Sequence, residues 1–181
     1  IVNDTWNVKL EVVDGECVMT LNGATLGYYD ADTGVYNSTN YKNAFSGDST
    51  YGSTPHLRIV VKKDSSISSE NHLFNSNTSF PKATFESIGN AKLTLKSAGG
   101  YAVFNGISEL NFVNANVEYT STSTENVTGI VYSGTTLRMV NSNVSINKRI
   151  YGFAINAITA SESVEIDGGV FNGTTPLHGS L

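Results

Sequence analysis

The run Asp30-Ala-Asp32-Thr-Gly34 has the carboxylate spacing with which a calcium-binding loop begins. A complete EF-hand loop needs further oxygen ligands and a bidentate glutamate at its twelfth position, where this chain has Tyr41. A turn with two solvated carboxylates is therefore the better reading, and a calcium ion the lesser one. Tyrosines gather around the same segment, at Tyr29, Tyr36, Tyr41 and Tyr51. Their flat rings suit stacking on sugar faces, and their hydroxyls can bond sugar hydroxyls. Tyr29, Asp30, Asp32, Tyr36, Tyr41 and Tyr51 form the candidate ligand-binding set. The competing reading packs some of these rings against the body of the protein.

Catalytic patterns are lacking. His56, His72 and His178 stand in unrelated contexts without HExxH spacing, and no G-x-S-x-G elbow, Walker loop or dinucleotide fingerprint occurs. No residue pair stands out as nucleophile and base. A polysaccharide lyase would need clustered calcium-binding carboxylates and a basic group, and a glycosidase two carboxylates roughly 5–10 Å apart. Glu109, Glu118, Glu125, Glu162, Glu165 and Asp167 fall at no common spacing, and the last three sit beside Gly168-Gly169 as a solvated cluster. The expectation is no enzyme, no resident cofactor and no metal, with a lyase-like enzyme as the alternative.

Composition narrows the class further. Of 181 residues only 15% are charged, against about 25% in ordinary soluble domains. Asn, Ser, Thr and Gly take their place, while 39% of residues are hydrophobic, too many for a disordered chain. The net charge of −5, with Lys62-Lys63 and Lys148-Arg149 as isolated basic pairs, argues against nucleic acid. The lone Cys17 excludes an internal disulfide and reads as a buried thiol. No apolar run is long enough to span a bilayer, and no signal peptide is visible, so a mature or trimmed piece of a longer product is expected.

The elements that must carry these residues follow from self-similarity. Leu110, Phe112, Val117 and Tyr119 recur as Leu137, Met139, Val144 and Ile146, and then as Val164, Ile166 and Phe171, with starts 27 residues apart. One step back reaches Ala83 and Phe85, and Ile59 with Val61 and Met19 with Leu21 extend the series. Short alternating stretches separated by Gly, Asn and Ser predict brief strands, several per unit. Like positions recurring in order predict stacked coils, and parallel crossovers are overwhelmingly right-handed. The expected fold is all-β: one domain, residues 1–181, forming a single-stranded right-handed parallel β-helix of about six coils. Residues 1–16, with the alternation Trp6-Asn-Val8-Lys-Leu10-Glu-Val12, form an N-terminal strand or cap, and 29–56 an inserted loop. Asn114 and Asn141 share one repeat position, where either a side-chain ladder or a left-handed turn would explain them.

With the coils laid out, Leu93-Thr-Leu95, Gly99-Gly-Tyr101-Ala-Val103, Leu110-x-Phe112 and the Leu137–Phe153 coil resemble secreted or surface-anchored bacterial parallel β-helix modules of the carbohydrate-binding domain-containing type. The resemblance covers about residues 57–175 and concerns fold-forming positions. It implies an extracellular glycan-binding or adhesive module of a bacterial surface protein, with a polysaccharide and neighbouring modules of a longer chain as partners. A structural stalk presenting those neighbours is the alternative.

Overall fold

The computed structural model describes residues 6–27, 45–46, 56–69, 74–75, 82–97, 104–105, 107, 109–121, 136–146 and 164–172, and all its elements among them are β-strands. In chain order these are β1 (Val8–Val13), β2 (Glu16–Asn22), β3 (Thr25–Leu26), β4 (Phe45–Ser46), β5 (Leu57–Lys63), β6 (Ser65–Ser69) and β7 (Phe74–Asn75). They continue as β8 (Lys82–Ser87), β9 (Lys92–Ser97), β10 (Phe104–Asn105), β11 (Glu109–Val113), β12 (Asn116–Ser121), β13 (Thr136–Ile146) and β14 (Val164–Asn172).

Only β1 and β2 pair antiparallel, among the described strands. Their two-residue turn is Asp14-Gly15, with φ of 51° and 81°, the positive pair that a tight hairpin requires. Every other pairing is parallel. One ladder runs β2-β5-β8-β11-β13, and β13 then leads back through a second ladder, β12-β9-β6-β3. With β1 at its start, this path has ten strands, which curl into a half-barrel, while β14 pairs with β13 beside it. β4, β7 and β10 form a separate three-stranded sheet.

From Ala83 onward, sequence spacing translates directly into register. Leu110 lies opposite Ala83 on one side and Leu137 on the other, and Leu137 lies opposite Val164. Upstream the register lies two residues off the expected series: Leu57, not Ile59, stands opposite Ala83, while Ile59 pairs with Phe85 and Met19 with Ile59. Within β5 and β8, buried and half-exposed residues alternate, which leaves one face of the ladder for the core and one for water. Leu57, Ile59, Ala83, Phe85, Leu110, Phe112 and Met139 fill the inner face, each at most 1% exposed. The rings of Phe85 and Phe112 stack with centroids 5.4 Å apart, adding to the burial of two large apolar side chains.

Between the two ladders the chain turns a corner, and its backbone groups there need partners. Buried serine hydroxyls provide them. Ser142 Oγ donates to the Val140 carbonyl at 2.8 Å and accepts the Ala115 N–H at 3.0 Å. Ser65 repeats the arrangement, donating to the Lys63 carbonyl and accepting from the Ala24 N–H. Asn114 and Asn141 sit at this corner with φ of 50° and 45°. The left-handed conformation is thus present at both, and short polar side chains tolerate it.

Candidate ligand-binding face

The outward face of the first ladder is built by the residues between the buried ones. Glu16 opens β2, His56 immediately precedes β5, Thr84 and Glu86 lie on β8, and Glu109 and Asn111 on β11. Parallel register brings Arg58 beside Thr84, Thr84 beside Asn111, and Asn111 beside Arg138. Rows of outward side chains therefore cross the strands at the spacing of the sheet, about 4.8 Å.

These groups join in one polar chain. His56 Nδ1 lies 2.7 Å from Glu16 Oε1, and its Nε2 lies 2.7 Å from Thr84 Oγ1. Asn111 Nδ2 donates to Glu109 Oε1 at 2.9 Å and reaches Thr84 Oγ1 at 3.4 Å. Lys82 Nζ closes the row on Glu109 at 2.8 Å. Alongside, Arg58 grips Glu86, its Nε donating to Oε2 at 3.1 Å. The amide of Asn111 first, and then Lys82, hold the Glu109 carboxyl below its ordinary value by bonding its charged form. The bond to Glu86 raises Arg58 in turn.

Thr84, His56 and Glu16 stand in the order of a nucleophile, a base and the group that orients the base. Acyl transfer also needs donors aimed at a developing oxyanion. β8 is flanked by β5 and β11, whose ladders engage its main-chain groups. The nearby amide of Asn111 is bound to Glu109. What the face offers is an array of half-exposed hydroxyl, imidazole and charged groups, held in place by one another and by the buried amide of Asn111.

The sequence-expected ligand set, Tyr29, Asp30, Asp32, Tyr36, Tyr41 and Tyr51, lies outside the described residues. So do His72, His178, Glu125 and Glu162. Glu109 is tied to Lys82, and Glu118 to Lys92 at 2.9 Å. No group of three or more potential metal ligands occurs among the described residues, and no helix there is long and apolar enough to cross a membrane. Cys17 is half-buried rather than fully buried, because it lies near the edge of the core, between Val12 and Leu57. Trp6 is half-buried too, with Lys62 Nζ 5.5 Å above its ring.

The histidine spacing gave no sign of a partner for His56; the structure places its ring between Glu16 and Thr84. The signal was present in the register. Stepping one residue past Ala83, Leu110 and Leu137 gives Thr84, Asn111 and Arg138, a single row in which Thr84 also lies beside Arg58. No known protein family, no curated protein and no solved structure matches the chain.

Proposed function

We propose that the ladders belong to a right-handed parallel β-helix, and that this module binds an extended glycan on its outward polar face without catalysing a reaction. The fold part of this reading is supported by the order of pairing. Chain segments visit the first ladder, the second ladder and the small sheet in turn, as β2-β3-β4, β5-β6-β7 and β8-β9-β10. Parallel strands joined in this way favour one hand.

The observation that carries the functional part is the bonded row Glu16–His56–Thr84–Asn111–Glu109–Lys82. A glycan presents many hydroxyls that both donate and accept, and such a row offers partners of both kinds on a preorganised surface. Strand spacing is comparable to the length of one sugar residue, so successive sugars would meet successive strands. The segment with Tyr29, Tyr36, Tyr41 and Tyr51 supplies stacking rings in this reading, and Asp30 and Asp32 further acceptors. A low fraction of charged residues suits a neutral or weakly acidic polymer. Secretion or display at a cell surface follows from the ligand class.

A glycan array tests the reading with three proteins: wild type, Asn111→Ala/Arg138→Ala on the face, and Tyr36→Ala/Tyr41→Ala in the segment. Wild type is expected to retain a defined set of polysaccharides and both variants to lose signal. An array on which wild type retains nothing removes the glycan reading and leaves a spacer that presents neighbouring modules. Release of unsaturated, ultraviolet-absorbing products from a uronate polymer would instead make the protein a lyase.

A further inference from the structure

We infer that β1 is a self-complementary edge through which two copies of this chain pair antiparallel, centred on Leu10. β1 ends the larger sheet among the described strands. The Asn22 N–H donates to the Asn7 carbonyl at 2.8 Å, and the register then runs Val8 opposite Leu21 to Val13 opposite Glu16. In an antiparallel ladder the residues that exchange main-chain bonds alternate. Asn7, Lys9, Glu11 and Val13 therefore direct their backbone groups to β2, and Val8, Leu10 and Val12 direct theirs to the open side.

The same strand is unusually apolar for an edge. Leu10 is 62% exposed, Val12 78% and Val13 46%, whereas natural edges are commonly protected by charge, proline or a covering segment. An antiparallel partner centred on Leu10 sets Leu10 opposite Leu10 of the second copy and Val8 opposite its Val12. Both are positions whose backbone groups point to the open side, so the hydrogen-bond phase is correct.

Side-chain charges agree with this register. Lys9 and Glu11 share the opposite face of β1, paired with each other at 2.6 Å and both partly exposed. Centring on Leu10 places Lys9 of each copy opposite Glu11 of the other, at the non-hydrogen-bonded position where side chains approach most closely. Centring on Val8 or Val12 keeps the backbone phase but loses this match and shortens the overlap. The second copy is thus the occupant that fits both the backbone and the charges. The interface is one strand wide, which puts it below about 1,200 Å² and among weak, reversible associations.

Sedimentation equilibrium of the full chain at low ionic strength tests the inference between about 10 μM and about 0.5 mM. Wild type is expected to pass from monomer toward dimer across that range. Lys9→Glu alone and Glu11→Lys alone each place like charges opposite one another twice, and each is expected to weaken dimerisation by about tenfold or more. An equimolar mixture of the two variants restores opposite charges at both contacts, as does the double variant Lys9→Glu/Glu11→Lys by itself. Both are expected to recover wild-type association, which a misfolded edge could not do. The inference is overturned if wild type stays monomeric throughout, if either single variant dimerises as tightly as wild type, or if neither the mixture nor the double variant recovers.

Discussion

Thr84 Oγ1 and His56 Nε2 lie 2.7 Å apart although 28 residues separate them in the chain. Parallel register brings them together: Leu57 pairs with Ala83, and the residues on either side of that pair meet across the outer face of β5 and β8. His56 links three chain segments through Glu16 and Thr84, and its side chain is only 19% exposed. His56→Ala is expected to cost about 1–2 kcal/mol, because it removes two hydrogen bonds and leaves a carboxylate and a hydroxyl to find water. Thr84→Val, which removes the bond to His56 and the longer contact with Asn111 but keeps the shape and the His56–Glu16 bond, should cost less. Urea unfolding of both variants checks the order.

Glu109 provides the acid-side prediction. Its folded pKa is depressed, by the Asn111 amide first and Lys82 second. A depressed carboxyl contributes stability above its unfolded value, and that contribution is lost as pH falls through the folded value. Because the side chain is 42% exposed, solvent screening keeps the contribution small. Asn111→Ala should move the Glu109 titration back toward its ordinary value, read by the side-chain carboxyl carbon in an NMR pH series. An unmoved titration would mean that the Asn111 bond does not form in solution.

At the corner between the ladders, Ser142 is fully buried and satisfies two backbone groups from segments more than twenty residues apart, Ala115 and Val140. Ser142→Ala removes the partner of the Ala115 N–H, while the Val140 carbonyl keeps the Asn114 N–H, at a cost of about 1–3 kcal/mol. Amide exchange at Ala115 should quicken more than at Val117, which lies nearby on β12.

Phe85 is the central test of packing. It is 1% exposed and stacked on Phe112. Phe85→Ala should destabilise by about 3–5 kcal/mol, with a smaller loss for Phe85→Leu, which refills most of the space. Guanidinium unfolding with an unchanged slope would attribute the loss to stability rather than to an expanded denatured state.

Gly27 follows β3 with φ of 127°, and a Cβ there would fall against the Ser68 carbonyl. Gly27→Ala is expected to lower the thermal midpoint, with about 1–3 kcal/mol from the backbone angle alone and more from the clash. Gly23→Ala is the comparison: it shares a positive φ, but its Cβ would meet open space. Its smaller loss would isolate the contact with Ser68.

Hydrophobic spacing by itself determined that the chain is all-β and which residues line its inner face. Ala83, Leu110 and Leu137 could be aligned before any coordinates, because side chains alternate with period two and a register slip would turn the apolar set toward water. The small sheet was not legible from the repeat: Phe104 pairs with Phe74, 30 residues back, and Phe74 with Phe45, 29 residues back, both off the 27-residue step. Only the tertiary structure decided the outer face. Spacing places Thr84 and Asn111 off the apolar series, yet which imidazole nitrogen of His56 meets which oxygen depends on strand separation and rotamer choice across chain neighbours almost thirty residues apart. Nor could the alternation of Trp6 to Val12 show that β1 runs antiparallel to β2 and presents Leu10 to solvent, because the same alternation suits either strand direction.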